Sequence, residues 1–258
     1  MLHERRSKII QMISADRMVK VSELCELFNV SIETIRRDLE YLEKNGYLSR
    51  VYGGAIIKAA YGLEPEYSSR EIKHLPEKTA IGERAAELIK DGDTIAIDVG
   101  TTTLEFAKAL SEKKGITVLT NAIPVAIALS DNKDIRVIML GGDVRGGECS
   151  TSGFLAEKAM DMFNVDKAII GIGGITADEG ITDYHIEEAN LRRHIIDRAE
   201  NVIGLADFSK FGVIAMNRIC RVERVTTIVT DNKASQKIIS DIRNKGVNII
   251  VADIKNNK

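Results

Sequence analysis

The chain has 258 residues, 44% hydrophobic and 29% charged, with a formal net charge of −2. That leaves room for one large domain and a small one, and it excludes collagen-like and low-complexity classes. No apolar run approaches the ~20 residues of a membrane span, and Cys25, Cys149 and Cys220 are odd in number, far apart and in no metal-ligand spacing. The charged start, MLHERRSKII, lacks the apolar centre of a signal peptide, so a reducing cytoplasm is the expected compartment.

Residues 1–58 read as one unit. They hold ten Lys/Arg against eight Asp/Glu, a local +2, while the remainder carries −4. Apolar Leu2, Ile9, Ile10 and Ile13 predict a first helix over 2–14. Val19 and Val21 form a short extended lead-in, and Ser22 is placed to cap a short helix ending at Phe28. Asn29 and Val30 supply a tight turn. Ser31 then caps the helix of VSIETIRRDLEYLEKNG, which Gly46 ends. The stretch YLSRVYGGAIIK alternates and turns at Gly53-Gly54, the pattern of a β-hairpin. Helix, helix, turn, helix, hairpin is the order of a winged helix-turn-helix.

At 100° per residue, Ile32, Ile35, Leu39 and Leu42 share one side of the helix after Ser31, the expected core face. Glu33, Thr34, Arg37, Tyr41 and Lys44 lie opposite, with Arg36 on the flank. The N-terminal half of such a second helix meets base edges in the major groove. Arginine pairs with guanine there, and a threonine methyl packs on a thymine methyl. The helix start also favours phosphate. The candidate contacts to DNA are therefore Ser31, Glu33, Thr34, Arg36 and Arg37, with Arg50 and Tyr52 of the hairpin reaching backbone phosphate. A solvated helix with Glu33–Arg37 and Glu40–Lys44 pairs, or a protein-docking module, would fit the same residues.

Residues 59–77 break periodicity and hold two of the three prolines, which predicts a linker. From 78 to 258 short apolar, β-branched runs alternate with helical stretches. TIAIDV, ITVLT, IRVIML, KAIIGI, NVIGLA, VTTIVT and VNIIVA read as strands, with helices over 78–89, 104–110, 187–199 and 235–244 among those between them. This predicts an α/β domain with a mostly parallel sheet. Loops after strands bring Gly100 with Thr101, Thr102 and Thr103, then Thr120 with Asn121, then Gly141 with Gly142, and a fourth glycine group at 171–174. The carboxyl ends of strands in an open α/β sheet are where ligands bind, and the first of these loops suits a phosphate. It has neither the lysine spacing of a Walker A loop nor a GxGxxG pattern. Each loop taken singly is also what an ordinary strand-to-helix turn needs. Glu188 and Arg192, four apart, could form a surface pair, and Asp207 and Lys210 follow a strand. No metal-ligand cluster or nucleophilic triad is evident, and no cofactor is expected.

The stretch VKVSELCELFNVSIETIRRDLEYLEKNGYLSRVYGGA resembles the N-terminal signature of the DeoR family of bacterial transcriptional regulators. EKTAIGERAAELIKDGDTIAIDVGTTT, LTN, LGG, EANLRR and DFSKFG resemble that family's sensor, in order and over nearly the whole chain. The resemblance implies a sensor fold like ribose-5-phosphate isomerase. It also implies a phosphorylated sugar or sugar alcohol as ligand, and repression of a carbohydrate-catabolic operon relieved by that metabolite. By motif position, Lys78, Asp98, Gly100, Thr101, Thr102, Thr103, Thr120, Asn121, Gly141, Gly142, Glu188 and Lys210 would line the site. Arg192 stands where the family often has lysine, in EANLRR against EAxVKR, which keeps the charge and changes the donor geometry. The partners implied are double-stranded operator DNA and further copies of the chain, in a dimer or higher even number. An activator would have the same parts. So would a sugar-phosphate isomerase using Asp98, Glu188 or Asp207 as base, for which no acid/base pair is fixed.

Overall fold

Ile9 and Ile13, four residues apart and both helical, anchor the core of the N-terminal unit together with Val19, Leu24, Ile35, Leu39, Leu42, Leu48 and Ala55. The computed structural model describes residues 5, 6, 8–10, 12, 13, 18–44, 48–51, 53–57, 64 and 66–254. They fall into two units, Met1–Ala60 and Tyr61–Lys258. In the first, strand β1 (Met18–Lys20) leads into helix α1 (Val21–Phe28), a turn, helix α2 (Ile32–Lys44) and the hairpin of β2 (Leu48–Val51) and β3 (Gly54–Ile57). The three strands are antiparallel in the order β1-β3-β2. This is the expected helix-turn-helix with a wing.

Local chemistry accounts for the joints. Asn29 adopts a left-handed conformation, φ 49°, and ends α1 with its N–H on carbonyls of the last turn. Gly54 lets β3 approach β1, because a Cβ there would lie 2.2 Å from the Val19 carbonyl oxygen. Two expectations are corrected. Helix α1 begins at Val21 with no side-chain cap, so Ser22 sits inside the first turn. Ile32 is 54% exposed, unlike Ile35, Leu39 and Leu42, because it occupies the first position of α2 and overshoots the core. Gly46, the predicted end of that helix, lies outside the described residues.

The second unit is built on seven parallel strands: β4 (Thr94–Ile97), β5 (Ile116–Thr120), β6 (Ile135–Met139), β9 (Val165–Gly171), β12 (Ala199–Leu205), β14 (Thr227–Asp231) and β15 (Asn248–Ala252). Each coincides with one of the seven apolar runs. Their order is β15-β14-β12-β9-β4-β5-β6. Alternate strand residues feed two cores. Ile95, Ile97 and Ile169 pack with Ile81 and Phe106, while Ala96, Ala168 and Ile170 pack with Met160, Leu191 and Ile242. The covering helices are α4 (Leu75–Ala86), α5 (Thr101–Lys108) and α6 (Ile123–Leu129) on the first face, and α7 (Phe154–Asp161), α8 (Ile186–Asp197) and α9 (Gln236–Arg243) on the second. Short strands β7 (Asp143–Arg145) and β8 (Ser150–Ser152) form a hairpin after β6. Strands β10 (Gly174–Thr176), β11 (Gly180–Asp183) and β13 (Asn217–Cys220) form a small second sheet.

The linker expected over 59–77 is corrected in its described part. Helix α3 (Tyr67–Ile72) and the start of α4 occupy it. Tyr67 is buried, and Arg70 makes ion pairs with Glu64 and Glu148. These side chains give the segment a folded role that a lack of periodicity conceals. The chain runs outward from β4 through β5 to β6, then returns as β9 on the opposite side of β4. The strand order therefore reverses between β4 and β9, and a crevice at the carboxyl ends of these strands is the expected ligand position.

Candidate functional site

On the first unit, Ser31 caps α2: its hydroxyl oxygen accepts the Thr34 N–H at 3.3 Å and lies 3.0 Å from the Thr34 hydroxyl. Both residues are thus engaged in shaping the helix start. Asp38 is buried, and its two carboxylate oxygens accept from Arg5 Nε at 2.6 Å and Arg6 Nε at 2.7 Å. The Arg6 guanidinium also lies 3.8 Å from the centre of the Tyr41 ring. These contacts fix α2 against the N-terminal helical residues. Lys44 pairs with Glu40 at 3.2 Å. The suggested Glu33–Arg37 pair is not formed. Arg36, Arg37 and Glu33 are exposed, and both arginines carry no ion pair among the described residues. Arg50 donates Nε to Glu43 at 2.7 Å and its backbone N–H to the same carboxylate at 2.8 Å, which ties the wing to α2. Tyr52 lies outside the described residues.

On the second unit, the chain leaves β4 through Asp98 and Gly100 and enters α5 at Thr101. Thr103 donates its hydroxyl to the carbonyls of Asp98 (2.7 Å) and Gly100 (2.9 Å), closing the loop on itself. Gly171, at the end of β9, faces this loop: a Cβ there would lie 3.0 Å from the Val99 carbonyl oxygen and 3.9 Å from Asp98 Oδ2. The switch point is therefore lined by two close backbones, and α5 starts there, its first N–H groups having no intrahelical partner.

Around this crevice lies a network of charge. Arg192 is buried and donates Nε to Asp98 and Nη1 to Asp183. Burial works to lower its pKa, and the two carboxylates outweigh it and raise it. Burial pushes Asp98 up to about 6 despite Arg192, and its Oδ1 has no hydrogen-bond partner among the described residues. Asp183 stays below the usual carboxylate range: burial opposes this, but Arg192 and the Tyr184 N–H prevail. Glu188 accepts from the Ser150 hydroxyl at 2.7 Å and pairs with Arg145 at 2.9 Å. Arg145 also meets Glu64 at 3.4 Å. Glu64 is shared with Arg70 at 3.0 Å, and Arg70 pairs in turn with Glu148. Burial lifts Glu64 to about 7. Burial lowers Lys78 to about 8 while its ammonium donates to the Arg70 carbonyl. Half-buried Lys210 is also lowered by burial, against the pull of nearby Asp207, and its ammonium forms no hydrogen bond among the described residues.

The residues expected to line a site thus divide in two. Asp98, Gly100, Thr101, Thr102, Thr103 and Arg192 gather at the switch point, and Glu188 reaches the same network through Ser150 and Arg145. Lys78 and Lys210 feel one another's charge. Thr120 and Gly142 have folding roles, and Asn121 has one through its amide nitrogen while its buried Oδ1 has no hydrogen-bond partner among the described residues. Thr120 donates to the Ile97 carbonyl at 2.7 Å, and Asn121 Nδ2 donates to the Thr151 carbonyl at 3.1 Å. A Cβ on Gly142 would strike the Ser152 carbonyl oxygen at 2.3 Å. A Cβ on Gly141 would meet nothing within 4 Å, so folding does not explain a glycine there. Glu188 and Arg192 form no surface pair, since both are buried and bind different partners. Glu64, Arg70, Arg145, Glu148, Ser150 and Asp183 were not anticipated. Glu64, Asp183 and Glu188 bring carboxylate oxygens within 4.8 Å of one another, a spacing that could hold a metal. Each already faces a guanidinium, so the set is an ion-pair network rather than an open donor cage.

Residues 5–60 match the DeoR-like helix-turn-helix domain, and residues 73–232 match the DeoR C-terminal sensor domain. The chain belongs to the DeoR family. It is 33% identical to the HTH-type transcriptional regulator GolR of Listeria innocua, over 97% of this chain and 98% of that one. It is likewise 33% identical to the HTH-type transcriptional repressor GlcR of Bacillus subtilis, over 97% and 96%. These full-length relatives are regulators, so this DeoR family member is a DNA-binding transcriptional regulator and the isomerase reading is set aside. Among solved structures, ribose 5-phosphate isomerase A of Methanocaldococcus jannaschii aligns over 52% of this chain and 53% of its own, at 16% identity and a TM-score of 0.38. That likeness is too low to carry an argument about fold or ligand.

Proposed function

We propose that this regulator is a repressor that holds double-stranded operator DNA through α2 and releases it when a phosphorylated sugar or sugar alcohol enters the switch-point crevice. The observation that carries the reading is the unengaged Arg36–Arg37 edge on the first half of α2. Every other arginine described in the first unit is held by a carboxylate: Arg5 and Arg6 by Asp38, and Arg50 by Glu43. Leaving two adjacent guanidiniums unpaired suits a polyanionic partner. Exposed Ile32 beside them would meet a thymine methyl.

For the effector, the α5 start suits an anion, Lys210 together with the nearby Arg70 and Arg145 suits a phosphate, and the Asp98 and Asp183 carboxylates suit sugar hydroxyls. The names of relatives such as GlcR support repression. A carbohydrate-catabolic operon, a cytoplasmic setting and an even-numbered oligomer belong to the same proposal. The test is retention of the protein's own promoter DNA at low salt, with and without a panel of pentose, hexose and sugar-alcohol phosphates. Retention that one compound abolishes is the expected result. Failure to retain the DNA, or indifference to every compound, sinks the corresponding half of the reading.

A further inference from the structure

Three carboxylates compete for two guanidiniums in the sensor. Arg70 is shared by Glu64 and Glu148, and Arg145 is shared by Glu64 and Glu188. Two of the carboxylates are fixed by the fold. Glu188 sits in α8, where Ser150 also donates to it, and Glu148 lies in the β7–β8 hairpin. Glu64 is the surplus member. It belongs to no helix or strand and lies only four residues beyond Ala60, where the first unit ends. Its contacts, 3.0 and 3.4 Å, are also the longest of the set.

We propose that Glu64 is an internal competitor for the effector's anionic group: it occupies the Arg70–Arg145 pair in the unliganded sensor, and an entering phosphate displaces it. Charge favours an exchange of this kind. Ionised Glu64 already has the carboxylates of Asp183 and Glu188 within 4.8 Å, and a phosphate dianion set on the Arg70–Arg145 pair beside it would meet repulsion at short range. Expelling Glu64 leaves two cations facing two fixed carboxylates and hands to phosphate oxygens the guanidinium N–H groups that Glu64 had engaged. Burial already disfavours the ionised Glu64, so its departure recovers hydration. The released residue belongs to the segment that joins the sensor to the DNA-binding unit. Effector binding and the displacement of Glu64 become two outcomes of one exchange, which is the differential interaction that coupling demands.

This inference rests on the anionic effector of the proposed function, and its test separates the two. Full-length wild type, Glu64→Ala and Glu64→Gln are titrated with inorganic phosphate and with the sugar-phosphate panel. The same proteins are then titrated onto promoter DNA with no ligand, after circular dichroism and cooperative melting show that each is fully folded at the assay temperature. Glu64→Ala should bind the anions roughly five- to a hundred-fold more tightly, the ordinary span of allosteric coupling. It should hold ligand-free DNA more weakly by a similar factor, with Glu64→Gln in between. If wild type responds to the panel but both variants match it in both assays, Glu64 is no competitor and the effector reading survives. If no compound acts on wild type while Glu64→Ala still loses DNA, the sugar-phosphate class falls and the Glu64 latch stands. Weaker DNA retention with unaltered affinity for a bound anion overturns the competition.

Discussion

Arg36 and Arg37 are neighbours in sequence and sit on different sides of α2. Arg37 lies opposite the buried face of Ile35, Leu39 and Leu42, the place from which the proposed docking would send it to base edges, whereas Arg36 lies on the flank. Replacing Arg37 by Ala should cost about 1–3 kcal/mol of specific binding and relax the preference at one base position. Replacing Arg36 by Ala should weaken binding evenly across sequences and flatten the salt dependence by about one unit of slope. Titrations of both variants against operator and scrambled DNA over a salt series separate the roles, and identical profiles would remove the distinction. Glu64 offers a second residue-scale test. Its carboxyl is raised to about 7 by burial, with Arg70 opposing and Asp183, Glu148 and Glu188 reinforcing, while Arg145 faces it as well. A raised acid binds its proton more tightly in the folded state, so its stabilising contribution is full below the ordinary carboxylate pKa and is lost as pH rises through about 7. Melting temperatures of wild type and Glu64→Gln should therefore agree near pH 5 and diverge by a few degrees at pH 8, with the variant the more stable. A gap independent of pH would contradict the burial of an ionisable Glu64.

At the scale of elements, Asp38 gathers Arg5 and Arg6 onto α2 from 33 and 32 residues away. Asp38→Ala should leave two guanidiniums without their carboxylate and destabilise the first unit by about 3 kcal/mol, the low end for a buried pair because both arginines keep some water. Hydrogen exchange should accelerate in α1 and α2 and stay unchanged in the seven-stranded sheet, and DNA affinity should fall. Uniform exchange with intact DNA binding would show that the clamp is dispensable. This clamp also marks the limit of what the sequence exposes. The seven main strands are legible because strands buried on both faces must be continuous apolar runs. Hairpin β7–β8 and strands β10, β11 and β13 are not, since each has only three or four residues, with β8, β10 and β11 rich in Ser, Thr and Gly and β7 and β13 mostly polar. Helix α3 is hidden for a similar reason: its six residues are mostly polar, and its single buried anchor, Tyr67, sets up no period. The Gly100–Thr103 loop is legible because phosphate-suited turns have a local grammar. The Arg70–Glu148 and Arg145–Glu64 pairs are 78 and 81 residues apart and have none, so only the fold brings them together.

For the whole molecule, the charge division decides how DNA can be held. Residues 1–58 carry a local +2 and the rest −4, so the sensor is repelled by the polyanion that the first unit must bind. Two adjacent arginines at the start of one 13-residue helix are a small footprint against that repulsion. On the proposed docking, one copy would read a few base pairs, with an affinity mostly electrostatic and therefore weak at physiological salt. Pairing two copies on one site adds their phosphate contacts and makes the second docking intramolecular, which restores affinity without more positive charge per chain. The expected operator is therefore a pair of inverted half-sites whose centres lie about 10–10.5 base pairs apart, or a multiple, on one face of the duplex. Sedimentation of the complex should give two chains per site. Footprinting should show two protected patches at that spacing, and inserting about half a helical turn, ~5 base pairs, between them should abolish tight binding. One chain bound to a single half-site with undiminished affinity would mean that the first unit suffices alone. The neutral surface chemistry of α2, exposed Ile32 included, would then have to carry far more of the binding than its arginines do.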